Sequence, residues 1–245
     1  MNTVLIRERY KVVRVLYSEP DYAFVEAVDI QERETPTRQI NLYEGELLHR
    51  YGRLCAGIDP ADCPAFQGMF LCGDTLAAVF EDCGGETIDQ VFYKGDRWPL
   101  ADRLAFAELV LHRALEMANL PPEISCAAML SENLFVDAEE RQVRLRYMLR
   151  PLPDMTAREL PLLAGDQVKK ILPRRWDALE AELAFLDELD AGCFRAIVPL
   201  YARWRAARAD IQAQQEEFES KNILSRAIAL IKLRLKRWKK RRARR

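Results

Sequence analysis

Hydrophobic positions in the first 82 residues fall in short stretches rich in β-branched and aromatic residues, which is the pattern of β-strands. Turn sequences, SEPD and a Gly-Asp pair among them, separate these stretches and predict hairpins. One stretch differs because its apolar side chains recur at helical spacing. The pattern predicts, in order, strands at 9–16, 22–28 and 38–43, a helix at 44–54, and strands at 65–74 and 75–82.

Beyond residue 82 most apolar positions recur every three or four residues, which is the period of helices. Pro199 lies inside the last of these patterns and predicts a kink there. The order is therefore a β-rich part, a hinge and a helical part. The elements predicted are a short helix after the Gly-Gly turn at 84–85, a long amphipathic helix at 99–120, strands at 133–137 and 142–147, and helices at 176–190 and 192–220.

Three stretches, in this order and at this spacing, resemble protein kinases. RVLYSEPDYAFVEAVD resembles the glycine loop with its flanking strands, VFEDCGGETIDQVF the hinge and first large-lobe helix, and LSENLFVDAEERQVRL the catalytic loop and the strand before the D-F-G motif. The resemblance covers residues 8 to about 150. It implies an α+β, kinase-like bilobal fold, with a five-stranded antiparallel small lobe at 1–82 and, after the hinge, a truncated, mainly helical large lobe at 83–220.

The kinase resemblance also assigns a position to each residue that phosphoryl transfer needs, and most of these positions hold another residue type. Asn133 is retained, but one neutral amide does not hold Mg²⁺ by itself, so we expect it to bond the backbone of its own loop. The resemblance therefore implies a pseudokinase with no catalytic residue, cofactor or metal, which is not an enzyme. The substituted positions are Tyr17, Glu19 and Tyr22 in the glycine loop, Asn41 for the phosphate-binding lysine, Ala128 for the catalytic aspartate, Leu130 for the lysine beside it and Tyr147 for the metal-binding aspartate.

The sequence departs from the kinase pattern after residue 150. No A-P-E segment follows, and ELPLLAGDQVKKILPRRW stands where an activation loop is expected. A large lobe trimmed in this way resembles the pseudokinase-like domain of the EssB/YukC component of bacterial type VII secretion. In that family the domain precedes a membrane span, whereas no run in this sequence approaches the roughly 18 apolar residues that a span needs.

The net charge of −1 conceals a strong asymmetry along the chain. Residues 221–245 contain 12 Lys and Arg and no acidic residue, so the other 220 residues carry 25 basic and 38 acidic side chains, a net of −13. An acidic body with a basic end indicates a tail that takes part in an interaction.

The tail also has the pattern of an amphipathic helix, because its apolar residues are spaced by four, three, four and three positions. A helix with an apolar stripe and a basic remainder is typical of binding to an anionic membrane surface. The stripe comprises Leu224, Ile228, Ile231, Leu235 and Trp238, and the basic residues include Lys232, Arg234, Lys236, Arg237, Lys239, Lys240, Arg241 and Arg242.

Three other interpretations of the tail stay open. The stripe is also suited to packing on a partner helix or on the acidic helix at 179–190 of the same chain. The basic residues alone would suffice to bind RNA or DNA phosphates. A solvated basic end that aids solubility is the simplest interpretation.

The cysteines and the absence of targeting signals predict a cytoplasmic protein. The basic tail adds the prediction that it is held peripherally at the inner face of the membrane. The six Cys contain no C-x-x-C pair and have only two His residues beside them, so no zinc site is predicted and we expect reduced, structural thiols. His112 is expected to be structural, since no partner for a general base is evident. Tyr17 and Tyr22 are expected to fill the former nucleotide cleft.

The leading hypothesis is a catalytically inactive pseudokinase that acts as a protein-binding scaffold or regulator, tethered to the membrane surface by its tail. Its protein partner would belong to a membrane or secretion complex. One alternative is a kinase-fold enzyme with non-standard nucleotide chemistry, which needs metal-binding carboxylates in the cleft. The other is a nucleic-acid-associated accessory protein that uses the basic tail.

Overall fold

A six-stranded antiparallel sheet with one helix forms the N-terminal part of the computed structural model, which describes residues 4–93 and 98–221. The strand order is β1-β2-β3-β4-β6-β5. All five predicted strands and the predicted helix are present, and β1 is an additional strand of two residues. The elements are β1 (Leu5–Ile6), β2 (Tyr10–Glu19), β3 (Tyr22–Asp29), β4 (Thr37–Tyr43), α1 (Gly45–Ala56), β5 (Phe66–Cys72) and β6 (Thr75–Glu81).

The two faces of this sheet belong to two separate hydrophobic clusters, as the alternation of side chains along strands requires. The inner face, which includes Phe24, Tyr43 and Phe80, joins the main core together with α1 and the helical part. The outer face has its own small cluster, in which the rings of Tyr10 and Phe70 are stacked 5.8 Å apart. The β-rich part is therefore attached to the rest of the protein through one face only.

The C-terminal part is mainly helical and contains a small three-stranded sheet of order β7-β8-β9. A capping box between Thr87 and Gln90 begins α2, because each side chain bonds the backbone N–H of the other residue. The elements are β7 (Glu86–Thr87), α2 (Ile88–Phe92), α3 (Leu100–Glu116), α4 (Pro122–Ala128), β8 (Leu134–Asp137), β9 (Gln142–Leu145), α5 (Glu159–Ile171), α6 (Glu180–Asp190) and α7 (Ile197–Ser220).

The helical part differs from the sequence-based predictions at α4, α5 and Pro199. Helix α5, at Glu159–Ile171, was not predicted. Helix α4 was not predicted, although Pro122 at its first position and Glu123 in its first turn are ordinary helix-start residues. The predicted kink at Pro199 is wrong, because α7 runs without interruption from Ile197 and Pro199 is its third residue. The first four N–H groups of a helix have no intrahelical partner, so a proline there costs no hydrogen bond.

His112 on α3 contacts Tyr201 on α7, as expected for a structural residue. The Tyr201 hydroxyl lies 2.8 Å from His112 Nε2, and the two rings meet edge to face at 5.0 Å. This pair helps to hold α7 against α3.

The acidic helix α6 is engaged by basic side chains of its neighbours. Arg174 pairs with Asp190 at 2.5 Å and with Asp187 at 2.8 Å, while Arg203 on α7 holds Glu188 at 2.7 Å. The acidic face that the sequence offered as a docking place for the tail is thus largely neutralised within the body. Among residues 4–93 and 98–221, no helix is long and apolar enough to cross a membrane.

Gly85, in the Gly-Gly turn before β7, is a position where only glycine fits. Its φ is +127°, and a Cβ atom there would lie 2.9 Å from the Val136 carbonyl oxygen. We predict that Gly85→Ala lowers the free energy of unfolding by about 2 kcal/mol, through strain and displacement of β8. Urea denaturation measures the change. Gly84→Ala is the matched control, since a Cβ at Gly84 meets nothing within 4 Å, and an equal loss in both variants would contradict the prediction.

Candidate functional site

A short extended segment, Tyr147–Leu149, follows β9 and runs between the N-terminal sheet and the helical part. Asn41 on β4 bonds its backbone in two places: Asn41 Nδ2 donates to the Tyr147 carbonyl at 2.8 Å, and the Leu149 N–H donates to Asn41 Oδ1 at 2.8 Å. The Tyr22 hydroxyl donates to the same oxygen at 2.9 Å. Asn41 is fully buried, and its amide bonds the N–H and C=O groups of this segment as a neighbouring β-strand would.

Asn133 bonds the middle of the same segment from the other side. Its Nδ2 donates to the Met148 carbonyl at 3.0 Å, and the Met148 N–H donates to its Oδ1 at 3.3 Å. Nδ2 also donates to the Ala127 carbonyl at 2.7 Å, which ties the segment to the end of α4. We define the amide clamp as Asn41 and Asn133 with the segment between them. The expected structural role of Asn133 matches this geometry.

The side chain of Tyr147 is buried between the two parts of the protein. Its ring stacks on Phe80 of β6, with centroids 5.0 Å apart and planes 12° from parallel. Burial, followed by the nearby Cys63 thiol, raises the Tyr147 pKa above its usual range. The position assigned to a metal-binding carboxylate thus holds a neutral ring that packs in the core.

Three further tyrosines continue this network across the inner face of the sheet. Tyr43 stacks on Tyr51 at 4.1 Å, and Tyr22 lies 5.3 Å from Tyr43. The Tyr43 hydroxyl donates to the Leu149 carbonyl at 2.8 Å. Burial raises the pKa of Tyr51 to about 12 and also raises those of Tyr22 and Tyr43. The hydroxyls therefore stay protonated and act as donors at neutral pH.

The two tyrosines expected to fill the former nucleotide cleft differ in position. Tyr22 is buried, and its hydroxyl reaches Asn41, the residue that the kinase resemblance assigns to the phosphate-binding lysine. Tyr17 is half-buried, 6.0 Å from the Tyr22 ring, and its hydroxyl donates to the exposed Glu19 at 3.3 Å. The packing of Tyr147 in the core was not predicted from the sequence. The sequence feature that indicates this packing is an aromatic residue at the position where the kinase pattern has a carboxylate.

One end of the sheet has a cluster of carboxylates. The turn after β2 contributes Glu19 and Asp21, the start of α1 Glu44, and the β5–β6 turn Asp74. These turns are in contact: Glu44 N–H donates to the Asp21 carbonyl at 2.9 Å, and Thr75 donates to Glu44 Oε1 at 2.9 Å. Within the described part of the chain, no Lys or Arg forms an ion pair with any of the four.

The remaining predicted positions lie around the end of α4. Ala128, its last residue, is fully buried, and Leu130 is half-buried in the following loop. The structure therefore brings Tyr22, Asn41, Asn133 and Tyr147 into one network, with Ala128 beside it. In residues 4–93 and 98–221 no group of three or more His, Cys, Asp and Glu residues is placed to hold a metal ion. The predicted binding residues of the tail lie outside the described residues.

Comparison with known proteins identifies the fold as kinase-like. No protein-family model matches the chain, and no curated protein matches it. The kinase domain of Mycobacterium tuberculosis PknI superimposes with a TM-score of 0.54 at 12% identity, over 84% of this chain and 98% of that one. Rad53 residues 1–466 in complex with AMP-PNP gives a TM-score of 0.49 at 12% identity, over 74% of this chain and 60% of that one. The likeness to the PknI domain extends over more of the chain than the sequence resemblance at 8–150.

The amide clamp predicts a large effect of one apolar substitution. Asn41→Leu keeps a similar shape but leaves the Tyr147 carbonyl, the Leu149 N–H and the Tyr22 hydroxyl without the partner they have now. We expect the free energy of unfolding to fall by about 3 kcal/mol or more, because buried unsatisfied polar groups are costly. Urea denaturation is the measurement.

Asn119→Ala is the control for this substitution. Asn119 is exposed and makes one bond, to Asp62 at 3.1 Å. Its loss should change stability by no more than about 0.5 kcal/mol. Equal stabilities of the Asn41→Leu variant and the wild type would contradict the role given to the clamp.

Proposed function

We propose that this protein is a catalytically inactive member of the kinase-like fold, a pseudokinase, which acts by binding another protein. The observation that carries the proposal is the amide clamp. The side chain at the position of the phosphate-binding lysine is fully buried and bonded to the Tyr147–Leu149 segment. A fold without chemistry acts through its surfaces, as a scaffold or regulator.

The chemistry of phosphoryl transfer supports this proposal. Transfer needs a cation against the phosphates and carboxylates to hold the metal ions, since catalysis is positioning plus charge stabilisation. At the corresponding positions stand the neutral Asn41, whose amide is engaged on both its nitrogen and its oxygen, and Tyr147, whose ring is stacked on Phe80. Ala128, at the position of the catalytic base, has no group that accepts a proton.

The negative charge at one end of the sheet also supports a protein that does not bind nucleotides. A kinase glycine loop surrounds the phosphates with backbone N–H groups. Here the corresponding turn has Glu19 and Asp21, with Glu44 and Asp74 on the neighbouring turns. Their negative charges, without basic partners among the described residues, repel a nucleoside triphosphate.

Nucleotide binding provides the direct test of the inactive state. We predict that Mg²⁺-ATP at millimolar concentration changes the melting temperature of the full chain by less than about 1 °C. A ligand that did bind, at 100 times its dissociation constant, would add about 2.7 kcal/mol to the free energy of unfolding and raise the melting temperature. An active kinase domain titrated in parallel is the control. A saturable rise in melting temperature would contradict the proposal. If phosphate or nucleotide transfer accompanied it, the alternative of a non-standard nucleotide enzyme would be supported.

We further propose that the basic tail tethers the protein to an anionic membrane surface, at the inner face of the membrane. The support is the combination of an apolar stripe with basic residues in the sequence from Leu224 to Arg242. The narrower resemblance to the EssB/YukC domain suggests a bacterial secretion complex as the setting of the protein partner.

Two full-length variants separate the membrane from the nucleic-acid interpretation of the tail. We predict that wild type co-sediments with anionic but not neutral vesicles, and that each variant loses most of this binding, since both burial and charge contribute. Nucleic-acid binding depends on charge, so only the second variant would lose it. Retention of vesicle binding by the stripe variant would contradict a membrane helix. The variants are Ile228→Gln with Ile231→Gln, which keeps the charge of the tail, and Lys239→Ala with Lys240→Ala, Arg241→Ala and Arg242→Ala.

A further inference from the structure

Helix α7 extends past the core at its C-terminal end. Its buried residues recur every three or four positions from Ile197 to Ile211, and Ile211 is the last of them in the main core. From Gln212 to Ser220 every residue is exposed or half-buried. Phe218 follows Ile211 by seven residues, so it lies on the same face of the helix. The last two turns of α7 therefore present a half-buried aromatic side chain beyond the main core.

The end of α7 lies beside the loop that connects α5 to α6. Arg203 pairs with Glu188 at 2.7 Å, and the Ala181 N–H donates to Gln214 Oε1 at 3.0 Å. The two contacts show that α6 and α7 run antiparallel. Phe218 lies one turn beyond Gln214 on the same face, so it is level with the loop before α6.

This loop adds a second aromatic side chain and the surroundings are mainly acidic. Trp176 is 68% exposed. The neighbouring Arg175 is bonded to Asp177 at 2.9 and 2.5 Å, and Lys221 to Glu217 at 2.8 Å. We define the α7-end surface as Trp176 and Phe218 with the exposed acidic residues Glu180, Glu216, Glu217 and Glu219.

The chain changes direction where α7 ends. Lys221 has φ −73° and ψ 146°, which is extended backbone, so the helix stops at Ser220. The apolar stripe of the tail begins at Leu224, which leaves only residues 221–223 between α7 and the stripe. Connections of two to five residues join helices that pack as antiparallel neighbours. The tail therefore begins next to the α7-end surface.

We propose that the apolar stripe of the tail docks on the α7-end surface of the same chain. The stripe packs on Trp176 and Phe218, and opposite charges attract, since residues 221–245 carry 12 basic and no acidic side chains. A segment joined by three residues has an effective concentration in the millimolar range, which favours it over a free partner. The carboxylates of α6 that Arg174 and Arg203 hold lie in the second half of that helix, outside this surface.

Docking of this kind regulates the membrane tether, and this consequence rests on the proposed function. The stripe of one tail cannot cover the α7-end surface and enter a membrane at the same time. An anionic membrane therefore competes with the body for the tail. The docking contact itself requires no membrane.

Hydrogen exchange of the full chain without lipid tests the docking. We predict that the amides of residues 224–238 exchange at least about tenfold more slowly in the wild type than in Glu216→Lys with Glu219→Lys, because an isolated helix of this length is marginal in water. Lysine and glutamate have similar helix propensities, so α7 tolerates the change. Glu139→Lys with Glu140→Lys, in the exposed β8–β9 turn, adds the same charge and should leave the exchange unchanged.

Trp176→Gln tests the apolar half of the contact in the same measurement. The side chain is exposed, so the fold tolerates the change, and we predict that exchange of the tail becomes about tenfold faster as apolar contact is lost. Tyr93→Gln is the matched control, because Tyr93 is 84% exposed at the end of α2. Rapid exchange of the tail in the wild type would overturn the proposal, as would equal exchange in a variant and its control. Protection that rises with protein concentration would also overturn it, since the partner would then be a second copy.

Vesicle binding tests the regulation. We predict that Glu216→Lys with Glu219→Lys binds anionic vesicles about threefold or more tightly than Glu139→Lys with Glu140→Lys, which carries the same charge, because its tail is released from the body. Equal affinities of these two variants would overturn the competition between body and membrane. Absence of vesicle binding in the wild type and both variants would overturn the tether and its regulation, whereas hydrogen exchange would still decide the docking.

Discussion

The rest of the structure depends on two buried amides holding one extended segment. Asn41 and Asn133 bond consecutive main-chain groups of Tyr147–Leu149 from opposite sides. The segment leaves β9 and belongs to neither sheet, so without them its N–H and C=O groups would be buried and unsatisfied, at about 1–3 kcal/mol for each group. The clamp also joins residues more than 100 positions apart, and thereby fixes the N-terminal sheet against the helical part.

The same contacts disfavour a lysine at position 41 and an aspartate at position 147. A lysine at position 41 would have no acceptor for the Leu149 N–H or the Tyr22 hydroxyl, which both donate to Asn41. An aspartate at position 147 would place a carboxylate against the ring of Phe80, where burial strongly disfavours its charge. Asn41 and Tyr147 thus each have a hydrogen-bonding or packing role in the core. If the proposed function holds, the residues that stabilise this fold stand where phosphoryl transfer needs charged groups.

Local patterns predicted the elements better than they predicted the contacts. Short stretches rich in β-branched and aromatic residues between turn sequences identified all five longer strands of the N-terminal sheet, whereas β1, with two residues, is too short to show such a stretch. Helix α4 was missed because its seven residues span fewer than two turns. The bond from Asn41 to Tyr147 joins residues 106 positions apart, and no periodicity encodes it. Only the kinase resemblance contained that information, since it assigns both residues to positions that meet in the fold.

The ion pairs of α6 bear on where the basic tail acts. A tail that docked on this helix would have to replace Arg174 and Arg203, which already hold Asp190 and Glu188 at 2.5 and 2.7 Å. Each new pair would cost an existing one, and exposed pairs contribute only about 0–1 kcal/mol in any case. An anionic surface outside the chain imposes no such exchange, because its charges are free to pair and its interior accepts the apolar stripe. Competition at α6 therefore disfavours this helix as the docking place of the tail.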